Sequence, residues 1–298
     1  MVEAEFHSYW ICFSGREGAD GDAFARFPYW SFTKTAISVS AMKLSEIGAL
    51  DLDARSHGQP FTLRQLLGHT AGLPDYGQFK EYHRAVADNE PPWSRDKLLE
   101  LVWSNGLLFE PGTSWSYSNV GYMIAKERIE EVAGQSLGAV ICELICKPLG
   151  LKSIELAETR EQFSRLRWRG AAHYDPGWVY HGCLTGTAAD AARLLHGLFN
   201  GDLLMPETRE LMLDVYPLGG AVPGRPWTAC GYALGLMSGK MEGAGRAIGH
   251  SGAGPFSANA IYYFPDQADA VTVACFTDAA DEGVAEFRTA QLEAWQAS

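Results

Sequence analysis

Three short groups of residues have types and spacings suited to covalent chemistry on a carbonyl. In Ser31-Phe-Thr-Lys34 a hydroxyl and an amine stand three residues apart, where an apolar, strand-like stretch (residues 23–30) turns into a helix. Residues three apart on a helix share a face, so the amine can sit against the hydroxyl oxygen. Residues 31–44 are apolar on nearly every side (Phe32, Ala36, Ile37, Val39, Ala41, Met42, Leu44), the pattern of a helix buried inside a protein. Burial of a lysine in its first turn disfavours the ammonium and lowers the pKa, which suits it to act as a base towards serine. The free N–H groups of a helix N-terminus suit an oxyanion. Ser-x-x-Lys occurs twice more, at Ser40/Lys43 and Ser94/Lys97. Ser94 reads as the N-cap of another helix, and only Ser31 begins the buried one.

The second group is Tyr117-Ser-Asn119, the only Tyr-x-Asn of the chain. It lies in a loop before a helix, where side chains can be aimed at a cleft. A phenol beside an ammonium is expected to have a lowered pKa and to relay protons. The amide two residues on can hold the lysine or a substrate carbonyl, or cap the next helix. The third group is His250-Ser-Gly252, followed by Ala253-Gly254. It reads as the end of an edge strand with small residues, against which a substrate backbone can pair. The N–H of Ala253 can join that of Ser31 as an oxyanion hole.

These groups need a scaffold, and the chain is long enough for one large domain or two ordinary ones: 298 residues, 47% hydrophobic and 20% charged. The net charge of −12 argues against nucleic-acid or anionic-membrane partners. Arg160, Arg165, Arg167 and Arg169 cluster, but Glu158 and Glu161 flank them. Six scattered cysteines form no Cys-x-x-Cys pair and are expected to be buried free thiols of a reducing compartment. No His-Glu-x-x-His or other metal-ligand spacing appears among the eight histidines. The first residues are acidic where a leader would be basic, and no apolar run approaches the ~18 residues of a membrane span. A cytoplasmic protein is the expectation.

Residues 6–13 and 23–30 read as strands and 14–22 as a turn. Helices are expected over 31–47, 63–67, 95–104, 120–133, 137–146, 187–200 and 207–213. Residues 152–182, with Trp168, Tyr174, Trp178 and Tyr180, read as an irregular loop that either lines a cleft or packs its own rings. Strands over 231–238, 246–251, 257–264 and 270–277 make an antiparallel meander, and a helix over 283–297 closes the chain. This gives an α+β fold: an antiparallel β-sheet flanked by helices (residues 1–30 and 206–298, discontinuous) plus an all-helical subdomain (31–205). The active site lies in the cleft between them.

With the three groups in order, and with Leu66-Leu-Gly-His-Thr-Ala-Gly-Leu-Pro74, Phe109-Glu-Pro-Gly-Thr-Ser-Trp-Ser-Tyr117 and Leu184-Thr-Gly-Thr-Ala-Ala-Asp-Ala-Ala-Arg193 around them, the sequence resembles the serine β-lactamase/penicillin-binding-protein family over almost its whole length. The nearest branch is that of class C β-lactamases, D-Ala-D-Ala carboxypeptidases, family VIII esterases and D-aminopeptidases. The resemblance implies a β-lactamase/transpeptidase-like fold and an acyl-enzyme without metal or cofactor. It implies Ser31 as nucleophile, Lys34 with Tyr117 as its base, and Tyr117 as proton donor to the leaving group. Asn119 would position Lys34 and the acyl group. His250 and Gly252 would bind substrate, and the Ser31 and Ala253 amides would form the oxyanion hole. His69 would be structural.

The sequence departs from that pattern in a short stretch before Ser31, a short linker over 50–61, and histidine in place of lysine at position 250. A neutral imidazole holds a carboxylate less firmly than an ammonium, so efficient β-lactam hydrolysis is not expected. The leading reading is a hydrolase of small esters or amides. Beside it stand a peptidase on D-amino-acid peptides and, from another class, a non-catalytic or slowly deacylating ligand sensor. The complete Ser31/Lys34/Tyr117 set argues against the last.

Overall fold

The structure is a computed structural model, and it describes all residues except 1–3, 23, 56–57, 105, 293–294 and 296–298. Its main feature is an eight-stranded antiparallel sheet with the strand order β2-β1-β11-β10-β9-β8-β7-β6. The strands are β1 (Phe6–Cys12), β2 (Glu17–Asp20), β6 (Tyr216–Gly219), β7 (Trp227–Tyr232), β8 (Met237–Met241), β9 (Gly245–Gly254), β10 (Ser257–Phe264) and β11 (Val271–Thr277). The two ends of the chain meet where β1 pairs with β11, from Phe6 opposite Thr277 to Cys12 opposite Val271. A small second sheet joins β3 (Arg26–Pro28), β5 (Cys183–Thr187) and β4 (Glu155–Ala157) in that order.

Helices α1 (Thr33–Glu46), α2 (Leu63–Leu67), α3 (Lys80–Ala87), α4 (Arg95–Trp103), α5 (Asn119–Ala133), α6 (Leu137–Ile141), α7 (Lys147–Leu149) and α8 (Arg160–Ser164) fill the middle of the chain. α9 (Ala188–Asn200) and α10 (Pro206–Met212) follow, and α11 (Glu282–Thr289) comes last. All of β11 and nearly all of β10 are buried, because both faces of the sheet are covered. Ala274, Phe276, Ile261 and Tyr9 pack with Leu194, Leu195 and Leu198 of α9. Val271, Val273, Ala260 and Tyr262 pack with Ala285 of α11. Strands covered on both sides read as continuous apolar runs rather than alternating ones, as Val-Thr-Val-Ala-Cys-Phe-Thr of β11 does.

α1 is the central helix, with eleven of its fourteen residues buried. Its buried polar side chains are paired: Thr33 Oγ1 accepts from Leu184 N (3.0 Å), Thr35 Oγ1 donates to Gly235 O (2.8 Å), Ser38 Oγ lies 3.2 Å from Tyr122 OH, and Ser40 Oγ donates to Ala36 O (2.8 Å). Satisfied polar groups of this kind cost little on burial. The other two Ser-x-x-Lys matches are thereby accounted for. Ser40 bonds its own helix, Lys43 pairs with Glu46 at 3.1 Å, and Ser94 caps α4 through Lys97 N at 3.2 Å.

Several elements differ from the sequence expectation. The strand expected over 231–238 straddles two strands, β7 and β8, which turn at Gly235 (φ +78°). A Cβ there would meet Ser38 Oγ at 2.2 Å, so glycine serves both the turn and the close approach to α1. The expected turn at 14–22 contains β2, a short, mostly exposed edge strand. β4 lies in the stretch read as an irregular loop, and β5 and β6 lie where no strand is expected. The helix over 137–146 changes to a π-type turn at Cys142–Cys146. The expected closing helix ends at Thr289, and part of its remainder lies outside the described residues. All six cysteines are free, and five are buried; Cys142 is exposed. Residues 152–182 do both things expected of them. Phe163, Trp168, Tyr174 and Trp178 are buried, while Tyr174 and Val179 also face the cleft described below.

Candidate active site

Ser31 sits in a 3-10 turn, Trp30–Phe32, that leads into α1 rather than in the helix itself. The turn is forced open by Trp30, a non-glycine residue with φ +44°. Such strained backbone persists only when its surroundings fix it. Here the Trp30 ring is buried and donates from Nε1 to Ser257 Oγ at 3.0 Å. On the other side, Gly252 of β9 approaches so closely that a Cβ would stand 2.6 Å from Ser31 N and 2.8 Å from Trp30 Cβ. Gly252 thus lets β9 lie directly against the turn that carries the serine.

β9 is an inner strand of the sheet, not the edge strand that was expected. Its pairing with β8 nevertheless ends at Met237 opposite Gly249, while its pairing with β10 continues to Gly254. Residues 250–254 therefore overhang β8, and this overhang supplies a backbone edge next to Ser31.

Lys34 is fully buried, and its Nζ has three polar neighbours: Asn119 Oδ1 at 2.7 Å, His181 Nε2 at 3.1 Å and Ser31 Oγ at 3.2 Å. Burial lowers its pKa to about 7, against an opposing pull from the Asp75 carboxylate. A neutral amine has two N–H groups and one lone pair. Asn119 Oδ1 accepts one N–H, and in the tautomer of His181 that is protonated on Nδ1 its Nε2 accepts the other, which leaves the lone pair for the Ser31 hydroxyl. The orientation of Asn119 follows from Asp75, whose carboxylate can only accept. Asp75 Oδ1 takes the Asn119 backbone N–H (2.7 Å) and Oδ2 takes Nδ2 (3.2 Å), which turns the amide oxygen towards Lys34. Asn119 is the first residue of α5 and not its cap; Ser118 is the cap, accepting from Gly121 N at 3.2 Å.

Tyr117 OH donates to Ser31 Oγ at 2.8 Å. The expected lowering of its pKa does not occur. Burial pushes it well above the ordinary tyrosine value, and Lys34 Nζ lies over the face of the ring, 5.0 Å from its centre, rather than beside the phenol oxygen. Tyr117 is therefore a protonated donor. Beneath it, the ring of His69 (φ +59°) packs at a tilt of 42° with 4.4 Å between ring centres and accepts the Ser118 N–H on Nδ1 at 3.1 Å. Burial holds His69 neutral. It props the Tyr117 loop, which fits the structural role expected of it.

His250 is neutral as well, its pKa pushed down to about 3 by burial. Its Nδ1 contacts the carbonyl of Ser251, and Nε2 lies 2.9 Å from Tyr232 OH. A carbonyl can only accept, so Nδ1 carries the proton and Nε2 accepts from Tyr232. The ring contributes no charge to the cleft.

Around Ser31 the cleft has two lobes. One, of about 330 Å³, is walled by Trp30, Tyr76, Tyr82, Val86, Tyr174 and Val179. The other, of about 450 Å³, is bordered by Tyr117, Tyr232, His250, Arg225 and Glu282. Ser31, Asn119 and Ala253 border both. All seven residues singled out by sequence thus gather at one place. Sequence reasoning passed over Asp75, His181, Tyr232, Arg225 and Glu282. Asp75 directly follows the 66–74 stretch that carries the resemblance, and His181 lies three residues before the 184–193 stretch. Nothing in their local spacing marked them.

The Beta-lactamase family model matches residues 14–294. Penicillin-binding protein 4* of Bacillus subtilis (strain 168) is 26% identical over 265 residues, 77% of this chain and 56% of that protein. Esterase EstB of Burkholderia gladioli is 24% identical over 307 residues, 85% of this chain and 77% of that protein. The chain thus spans between about half and three quarters of the length of these two curated relatives. Among solved structures, D-amino acid amidase from Ochrobactrum anthropi SV3 superposes with a TM-score of 0.81 at 20% identity, covering 97% of this chain and 93% of that one, which confirms the fold. Taken with the geometry around Ser31, these matches show that the chain belongs to the Beta-lactamase family.

Proposed function

We propose that this protein is a serine hydrolase that forms an acyl-enzyme on Ser31 and cleaves a small ester or amide. The observation that carries the reading is the arrangement around Lys34. Both N–H groups of its neutral form have acceptors, and its lone pair faces the Ser31 hydroxyl. In the proposed reaction Ser31 Oγ bonds to the substrate carbonyl carbon while its proton passes to Lys34 Nζ. The resulting oxyanion takes hydrogen bonds from the Ser31 and Ala253 amides. The bond to the leaving group then breaks and the leaving atom takes the Tyr117 proton, while the proton taken from Ser31 stays on the Lys34/Tyr117 pair and makes good the one that Tyr117 gave up. Water attacks the acyl-enzyme by the reverse path, its proton going to the Lys34/Tyr117 pair.

Cleavage of D-amino-acid amides or peptides is the second reading. The likeness to D-amino acid amidase favours it, as does the overhang of β9 at 250–254, which offers a peptide backbone an edge to pair with. Efficient β-lactam hydrolysis is not part of the proposal, since His250 supplies no cation for the carboxylate of a penicillin. The complete proton-transfer set argues against a purely binding role. Among the described residues no single helix is long and apolar enough to cross a membrane. The six free cysteines fit a reducing compartment, and a cytoplasmic location is part of the same proposal. The test is hydrolysis of p-nitrophenyl acetate and butyrate by wild type and Ser31→Ala. Turnover lost in the variant supports the reading, and equal rates contradict it.

A further inference from the structure

The two lobes of the cleft can be assigned to the two halves of a substrate. The leaving atom must lie within reach of the proton donor, Tyr117. Tyr117 and His250 border the larger lobe and not the aromatic one, whereas Ser31, Asn119 and Ala253 border both. The leaving group therefore enters the larger lobe, and the acyl group enters the lobe walled by Trp30, Tyr76, Tyr82 and Tyr174.

The far wall of the leaving-group lobe carries an ion cluster that the reaction does not use. Arg225 lies between two carboxylates of α11. Its Nε donates to Glu286 Oε2 at 2.6 Å, and its Nη2 contacts Glu286 Oε1 and donates to Ser251 Oγ at 2.7 Å. Its Nη1 stands 3.0 Å from Glu282 Oε2. Glu286 is wholly buried, and it also accepts from Tyr262 OH at 2.7 Å and Trp227 Nε1 at 3.1 Å. It neutralises Arg225 from behind and is closed off from the lobe. Glu282 is the outer partner, with 29% of its side chain exposed, and it borders the cavity. Burial raises the pKa of Glu282, and the adjoining Arg225 guanidinium pulls against that rise; in its ionised form, with one guanidinium between two carboxylates, it presents an excess of one negative charge to the lobe. The other groups that could offset it do not: His250 is neutral, and Lys34 lies behind Ser31 with its charge weakened by burial.

We propose that Glu282 makes this lobe a subsite for leaving groups that carry a positive charge, such as an amine or quaternary ammonium beyond the scissile atom, and makes it disfavour leaving groups that carry a carboxylate. This rests on the reading of Ser31 as the acylated nucleophile. Arg225 is poorly placed as a carboxylate receptor, because four of its five N–H groups face Glu286, Glu282 and Ser251, which leaves one on Nη1 and no bidentate fork. The selectivity is one of charge placement, since like charges brought together in a partly desolvated site are penalised.

The test uses three acetate esters of one phenol framework: 3-acetoxyphenyltrimethylammonium, 3-methylphenyl acetate and 3-acetoxybenzoate. Each kcat/KM is divided by the ester's own hydroxide-catalysed rate. Wild type is expected to favour the cationic ester over the anionic one by about tenfold or more, and Glu282→Gln to reduce that ratio by about tenfold. A wild-type ratio at or below one overturns the proposal without need of any variant. An unchanged ratio in Glu282→Gln overturns the assignment to Glu282. Failure of wild type to turn over all three esters contradicts the hydrolase reading itself, and this inference with it, so the two failures are told apart.

Discussion

Lys34 Nζ and His181 Nε2 stand 3.1 Å apart in a fully buried setting, and the histidine is neutral. With its proton on Nδ1, His181 takes one N–H of the lysine and, with Asn119, sets which way the lone pair points. Replacing His181 by Ala frees that N–H and opens room for water beside the amine. The acid limb of the kcat/KM profile should move to higher pH, and activity at neutral pH should fall by about tenfold. His181→Gln, which keeps an acceptor, should recover part of both. A uniform loss with no movement of the limb would mean that His181 only packs.

The pH profile of the wild type is itself predicted. Lys34 must be unprotonated to accept the Ser31 proton, and burial holds its pKa at about 7. Activity should therefore rise with pH through a single ionisation near neutrality. Tyr117 stays protonated across that range because its pKa is raised, so no tyrosine ionisation should interrupt the rise. His69 and His250 are held neutral and should not contribute. A profile flat between about pH 5 and 9 contradicts this assignment of the base.

Tyr117→Phe removes the donor that lies 2.8 Å from Ser31 Oγ but keeps the ring on His69. Loss of a positioned proton donor should reduce kcat by about 10²–10⁴-fold. Esters with good leaving groups, which need little protonation, should lose less than amides. An equal loss for both classes would place Tyr117 outside leaving-group protonation.

Gly252→Ala tests the seat of the serine. The added methyl would stand 2.6 Å from Ser31 N, so β9 or the Trp30–Phe32 turn must shift and the two proposed oxyanion donors must part. Loss of oxyanion stabilisation should cost about 10²–10³ in kcat, with smaller effects on KM and on thermal stability. Near-normal kcat would show that the close approach does not serve catalysis.

Much of the site was legible in the sequence because its residues fall in short local patterns. Ser31 and Lys34 lie one helical turn apart, Tyr117 and Asn119 flank a helix cap, and Gly252 and Ala253 lie on one strand. What escaped notice depends on long-range packing. His181 reaches Lys34 across 147 positions, and Arg225 reaches Glu286 across 61, with no local periodicity to mark either. The Tyr117 pKa went the other way because an ammonium over a ring face does not stabilise a phenolate, while burial opposes one. In the sheet, β10 was read with its bounds, since residues 257–264 are bounded by glycine and proline turns. β7 and β8 were merged because Ala233-Leu-Gly-Leu236 at their turn is as apolar as the strands. β9 was taken for an edge strand because its free edge arises from β8 ending early, a fact of register rather than composition.

The most direct measurement is the intact mass of the protein, quenched in acid within the first turnovers on p-nitrophenyl butyrate and followed by peptide mapping. The account predicts a butyryl adduct on the peptide containing Ser31, more persistent in Tyr117→Phe if deacylation uses the same donor, and absent in Ser31→Ala. Ester hydrolysis that proceeds with no adduct, or with the adduct on another residue, would contradict it.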